Sequence, residues 1–317
     1  MVELNAESHS PLSMEERTFR SYDQKQGEAY LKGRRDFHPC VYKTALNYHQ
    51  SRGGQLGTLL DVGCGPGFAA RGLASHFTHT IGIDASNGMI NTARSLGGVT
   101  RTSEPIRFDV STAEELGSNL SPPILDASVD LITASDAAHW FDPVQFWKAA
   151  ARVLKPGGTV ILWASGEIAA HTSMPNAVAV QSAMDKYVER DLMPYYTPGN
   201  LLSRNRYVDL LLPWTLDQPI PAFDQNSFVR KDWDVDDHFV IGEREIDMDT
   251  LEKMLATGSV QTRWYQAHPG IVGTEGDALK ILRREIERLL QETGVEKGKE
   301  MFKRAVWGTM LSVKKKP

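Results

Sequence analysis

Cysteine is almost missing from this chain of 317 residues: there are two, Cys40 and Cys64. Two thiols give no disulfide framework, so the expected compartment is a reducing one. No apolar run reaches the length of a membrane span. Positive charge is not in excess, since the formal net charge is −5. That balance gives no electrostatic reason to bind nucleic acid or an anionic membrane. Lys314-Lys315-Lys316 reads as a short solvated tail. The opening residues, with Glu3, Glu7, Glu15 and Glu16, lack the basic and apolar regions of a secretory leader. No internal repeat, low-complexity segment or metal site is expected. What remains is a cytoplasmic globular chain, 41% hydrophobic and 24% charged, of a length that allows one large domain or two ordinary ones.

The Gly-x-Gly-x-x-Gly spacing of a dinucleotide turn is also missing. In its place stands Asp61-Val62-Gly63-Cys64-Gly65-Pro66-Gly67, with glycine at alternate positions. Apolar residues lead into it and Phe68–Ala74 follows with a helical rhythm, so the stretch predicts strand, turn and helix. The glycines leave no side chain between the backbone and a ligand lying over the turn, and the helix start aims free N–H groups at it. Asp61 argues against a pyrophosphate there and for a ligand with a positive amino group. The competing reading is a plain strand-to-helix turn. Thr80-Ile81-Gly82-Ile83-Asp84 predicts a second strand ending in an acid. Asp84 falls where a ribose-binding carboxylate is expected after such a loop. It either holds two ribose hydroxyls or caps the helix beginning at Ala85-Ser86-Asn87, and both roles can hold together.

From 58 to 163 strands and helices alternate. Strands are expected at 58–62, 79–83, 105–109, 129–134 and 158–163, with helices near 67–76, 87–95, 112–117 and 143–153. This alternation predicts a parallel sheet covered on both faces. Residues 1–20 are polar and expected to be mobile. An arm over 21–57, with helical pieces at about 19–27 and 41–50, should cover the ligand site. Residues 164–230 break the rhythm and read as an inserted cap, with helices near 176–191 and 200–212. Over 231–317, strands are expected at 239–246 and 305–313, and helices at 249–255 and 277–291. The second of these helices is charged with one buried stripe. Residues 21–317 form a single domain on this reading.

Ligands of an open parallel sheet collect at the carboxyl ends of its strands. Two more stretches arrive there. Asp109-Val110-Ser111-Thr112-Ala113-Glu114 follows the third strand, and Ser111 with Glu114 there reads equally as a capping box. Ala134-Ser135-Asp136-Ala137-Ala138-His139-Trp140-Phe141 follows the fourth. Its aromatic faces suit a cationic group, while the same rings could simply pack beneath the cap. His139 either orients a substrate, accepts a proton or bonds its own loop.

The Asp-x-Gly-x-Gly-x-Gly string and the Pro156-Gly157-Gly158 junction resemble class I S-adenosylmethionine (SAM) methyltransferases. The resemblance implies a Rossmann-like α/β fold with a seven-stranded, mainly parallel sheet and SAM as cofactor. In that family an acid after the third strand often binds adenine; here Thr112-Ala113 falls where Asp-Ala is common, leaving Ser111, Thr112 or Glu114 to replace it. Ala138–Asp142, Pro194-Tyr195-Tyr196, Arg204 and Val306-Trp307-Gly308-Thr309 look like the trans-aconitate methyltransferase family, especially its fungal branch, which includes enzymes that methylate small acids such as cantharidin. Tyr30-x-x-x-Arg34-x-x-Phe37 resembles that family's N-terminal arm. One departure is Gly258, where the family tends to have tryptophan.

These resemblances imply that Tyr30, Arg34, Asp61, Gly63, Gly65, Gly67, Asp84, Ala85, Met89, Ser111, Thr112, Ala113, Ala134 and His139 surround SAM. They imply Trp140, Tyr195, Tyr196, Arg204 and Trp307 for a small-molecule acceptor. Arg204, Arg206 and Arg263 are the cations suited to clamping a carboxylate, since a guanidinium pairs with it through two bonds. A carboxylate acceptor needs no base; an alcohol or amine does, and His139 is then the candidate. The expected activity is O-methylation of a small carboxylic acid by a monomer or homodimer. The alternatives are a natural-product O-, N- or S-methyltransferase and a SAM-binding regulator.

Overall fold

A computed structural model describes residues 19–317. The expected mobile N-terminus lies outside the described residues except for its last two positions. The arm forms α1 (Gln24–Gly33) and α2 (Pro39–Ser51). Asp23 and Gln26 close a reciprocal capping box on α1, which is why the helix starts there and not at Phe19. Next come β1 (Thr58–Val62), α3 (Phe68–Ala74), β2 (His79–Asp84), α4 (Asn87–Leu96), β3 (Arg107–Val110), β4 (Val129–Ser135), α5 (Pro143–Val153) and β5 (Leu154–Ser165). Then follow β6 (Ala169–Ala170), α6 (Ala177–Tyr187), α7 (Pro198–Arg204), β7 (Phe223–Trp233), β8 (Glu245–Asp247) and α8 (Met248–Ala256). The chain closes with α9 (Ser259–Ala267), α10 (Ala278–Gln291), β9 (Met301–Ala305) and β10 (Gly308–Lys315).

The main sheet has seven strands in the order β3-β2-β1-β4-β5-β10-β7. Strands β1 to β5 pair in parallel, and β10 runs antiparallel to both β5 and β7. Strand β4, Val-Asp-Leu-Ile-Thr-Ala-Ser, is buried along nearly its whole length, as a central strand covered on both faces must be. Helix α5 begins where Asp142 caps Gln145 and Pro143 presets the first turn. It then lays Phe146, Trp147, Ala150 and Val153 on the sheet. The chain turns from β1 outward to β2 and later returns on the other side as β4, so the order reverses between them. Their carboxyl ends splay apart there and leave a crevice.

The remaining helices build a second layer. A small sheet, β6-β9-β8, carries α6, α8, α9 and α10 on a separate apolar cluster. Helix α10 has an apolar stripe of Leu279, Leu282, Ile286, Leu289 and Leu290, all buried in that cluster. Its opposite face is salt-bridged, as between Arg283 and Glu287 at 2.8 Å.

Several sequence expectations shift. Residues 112–117 make turns instead of a helix, because Leu116 and Gly117 both take positive φ. Strand β5 starts at Leu154, before the Pro-Gly-Gly bend, since Leu154 already pairs with Val129. The helix expected at 200–212 ends at Arg204, where Arg206 and Tyr207 adopt φ of 53° and 58°. The expected cap boundary at 230 falls inside β7, an edge strand of the main sheet. Residues 239–246 contribute one bridge, Phe37 to Val240, and the short β8. The last strand divides into β9 and β10 around Val306-Trp307. The cap is therefore made from two separated segments, one after β5 and one after β7.

Candidate active site

The glycine turn lies at the crevice. Gly63, Gly65 and Gly67 have φ of 63°, 53° and 87°, a backbone region that glycine enters without steric cost. A Cβ placed on Gly65 would meet nothing within 4 Å, so the backbone there forms an open floor. Gly63, Gly65, Asp84, Ala85, Met89, Ser111 and Ala113 line a cavity of about 140 Å³, together with Tyr30 and Arg34 from the arm. Gly67 does not line it; it starts α3.

Asp84 holds the turn in shape. Its Oδ2 accepts from Gly65 N at 2.9 Å and its Oδ1 from Ser86 N at 2.8 Å. Ser86, not Asp84, caps α4. Each carboxylate oxygen keeps a further lone pair for a ligand. Burial pushes the Asp84 carboxyl up, and the two amides pull it back in part.

Asp61 behaves differently from its expected role. It is fully buried behind the turn, accepting from Thr133 Oγ1 at 2.7 Å and from Ala70 N at 3.0 Å. Opposite register positions in β1 and β4 bring Asp61 beside Thr133. It ties β1, β4 and α3 together and does not line the cavity. Burial raises its carboxyl to about 7. Ala134 is likewise sealed in the sheet core, because alternate residues of β4 face alternate sides. Thr112 turns toward Glu115, which leaves Ser111, Ala113 and Glu114 at the cavity. Ser111 accepts from Gly117 N, so neither it nor Glu114 makes the expected capping box.

A second cavity, about 240 Å³, lies between this edge and the cap. The two share Phe19, Tyr30, Arg34, Asp136 and Trp140. Arg34 Nε is buried in that shared wall without a hydrogen-bond partner. Asp136, which sequence reasoning passed over, takes φ of 50° just after β4 and accepts from Ser165 N and Oγ. A short acid in a tight turn at a strand end was the available signal.

His139 lines the second cavity, buried against Trp140 with ring centroids 4.5 Å apart. Its Nδ1 is 2.7 Å from the Tyr207 hydroxyl. Burial, helped by the Arg34 charge, lowers its pKa to about 3, so the ring is neutral at ordinary pH. Helix α7 closes on Trp140 at Gly199, where a Cβ would sit 2.5 Å from the indole.

Of the other expected acceptor residues, Tyr196 and Arg204 line the second cavity, and Tyr195 and Trp307 do not. Tyr195 packs edge-on to His268, drawn into the cap cluster. Trp307 lies between two strands over Gly166, with the Arg206 guanidinium 4.8 Å from its ring. Arg204 donates to Glu167 at 2.9 Å and to the Tyr196 hydroxyl at 3.0 Å. Tyr196 also donates to Glu167. Arg263 donates to Tyr195 O at 2.9 Å and to Asn200, outside the cavity lining. Gly258 does line it, and a Cβ there would lie 3.4 Å from Leu255 O. Gln261 on α9 completes a wall with Tyr187 and Met184 of α6; the helix carrying the last two was expected, whereas α9 was not.

Residues 60–162 match the model of a methyltransferase domain. The methyltransferase AacuQ of Aspergillus aculeatus is 37% identical over 145 residues, 44% of each chain. CRG1 of Saccharomyces cerevisiae, assigned as an S-adenosylmethionine-dependent methyltransferase, is 28% identical over 145 residues, 45% of this chain and 47% of its own. The chain thus spans about half the length of the curated relatives it matches. A solved structure assigned as a type II methyltransferase from Anaeromyxobacter dehalogenans superposes with a TM-score of 0.59 at 20% identity, covering 90% of this chain and 99% of its own. Among the described residues no helix is long and apolar enough to cross a membrane. The segment around the glycine turn thus matches a methyltransferase domain, and the chain around it has the Rossmann-like fold of that solved methyltransferase structure.

Proposed function

We propose that the protein is a SAM-dependent methyltransferase acting on a small-molecule acceptor, with the donor in the first cavity and the acceptor in the second. The observation that carries this is the shared wall: Arg34, Asp136 and Trp140 border both spaces. The first cavity fits SAM by its chemistry. The buried, unpartnered Nε of Arg34 suits the amino-acid carboxylate, Asp84 suits the ribose hydroxyls, and the bare floor at Gly65 admits close approach.

SAM supplies an electrophilic methyl group on a positive sulfonium. The chain's own contribution is alignment and exclusion of water. Tyr30, Arg34 and Phe37 cover the first cavity from the arm. His139 is a weak base at a pKa of about 3, so its part is to orient a partner through its free Nε2, with Tyr207 fixing the ring.

The acid acceptor expected from the sequence rests on Arg204, now engaged by Glu167. Asp136, Glu167 and Asp185 line the second cavity against Arg34 and Arg204. That balance favours the alternative, an uncharged natural-product type of acceptor. The trans-aconitate reading would need an acid to displace Glu167. Release of S-adenosylhomocysteine (SAH) from labelled SAM in the presence of matched acids and amides tests both. Equal or better use of amides, with Arg204→Met changing the Michaelis constant by less than about twofold, is expected. A strong preference for acids that Arg204→Met abolishes would restore the carboxylate. No turnover and no SAM binding would remove the enzyme reading.

A further inference from the structure

We infer that Gln261 selects the methyl acceptor by donating its side-chain N–H to a neutral carbonyl oxygen at the acceptor's far end. This rests on the methyltransferase reading and deepens it. Gln261 lies on α9, lines the second cavity and is only 2% exposed. The Tyr187 hydroxyl donates to its Oε1, while its Nε2 has no partner. Contact with the amide offsets part of the rise that burial imposes on the Tyr265 hydroxyl, yet the two do not reach hydrogen-bond geometry. Buried donors are almost always paired, and an orphan on a cavity wall calls for a ligand acceptor atom.

The surroundings narrow that atom's chemistry. Met184, Leu192, Val260 and Leu282 make this side of the cavity apolar. Arg204 is already held by Glu167, so a carboxylate arriving there meets a paired cation and the nearby acid Asp185. An alcohol would bring a proton of its own to place on this apolar wall, a demand that a carbonyl does not make. A ketone, ester or amide carbonyl accepts and brings no proton or charge.

The test uses the full chain loaded with SAH and three matched phenols: para-hydroxyacetophenone, para-ethylphenol and para-hydroxybenzoate. Calorimetry gives each affinity. The ketone should bind at least about tenfold tighter than the ethyl compound, and tighter than the carboxylate. Gln261→Met, which keeps length but not the donor, should erase the ketone advantage while SAH affinity stays. Gln261→Leu, which carries no polar hydrogen, serves if the methionine variant does not fold. An ethyl compound that binds as well as the ketone, a tightest-binding carboxylate, no binding of the ketone, or a ketone advantage that survives both variants would overturn the inference. Failure of the wild type to bind SAH would instead strike the methyltransferase reading itself.

Discussion

The sheet core and the cap are built on opposite plans. In the core, β1, α3, β2 and α4 follow one another along the chain and pack as immediate neighbours. In the cap, partners come from far apart: Ala169 pairs with Ala305, and Asn176 Nδ2 donates to Leu289 O across 113 positions. The core presents backbone and three carboxylates, Asp84, Glu114 and Asp136, to a ligand; the cap presents apolar side chains with amides, hydroxyls and the charged Glu167, Asp185 and Arg204. A cofactor common to many reactions can be held by a conservative local motif. The second cavity, where we propose that the acceptor binds, is assembled from residues that no local motif joins.

The contrast can be broken from either side. The largest effect is expected at Gly65→Val. A branched side chain there enters the first cavity, and φ of 53° strains it. SAM affinity should fall about a hundredfold or more, roughly 3 kcal/mol, while stability drops by only about 1–2 kcal/mol. Titration calorimetry and thermal melts separate the two, and near-normal affinity would take the turn out of the site. In the cap, Ile286→Ala empties a fully buried position of α10. It should cost about 2–5 kcal/mol in denaturant unfolding yet leave SAM affinity within about twofold. A matching loss of SAM affinity would mean that core and cap act as one unit.

A smaller effect concerns the brace beneath the turn. Asp61 has its carboxyl raised to about 7 from an ordinary value near 3.8. A raised acid stabilises the fold fully below its unfolded value and loses that contribution as pH rises through about 7. Wild type should therefore lose stability relative to Asp61→Asn between about pH 4 and pH 7, by on the order of 1–3 kcal/mol, and run parallel above it. Unfolding curves at several pH values check this. A difference that grows in the opposite direction would mean that Thr133 and Ala70 hold the charged form more strongly than burial opposes it.

The same contrast decides what could be read from sequence. Buried strands such as Leu-Ile-Thr-Ala in β4 are continuous apolar runs, and the alternate glycines carry their own geometry, so the core and Asp84 were legible. Asp61 was visible as an acid, but its direction depends on Thr133 in another strand. Strand β7, Phe-Asp-Gln-Asn-Ser-Phe-Val-Arg-Lys-Asp-Trp, was missed because an edge strand exposes polar residues on both sides of its few buried anchors. Helix α9 begins at Gly258 without a side-chain cap and mixes β-branched and aromatic residues, so its pattern was faint. Gln261 was hidden with it. Arg204 was legible as a cation, whereas its neutralisation by Glu167 across 37 positions was not.

The central claim is that the glycine-turn cavity holds SAM through Asp84. Calorimetric titration of SAM into wild type and Asp84→Ala tests it most directly. Wild type should bind SAM and not a nicotinamide dinucleotide, and the variant should lose roughly 1.5–3 kcal/mol of affinity. Equal SAM affinity in the two proteins, or binding of the dinucleotide in place of SAM, would contradict it.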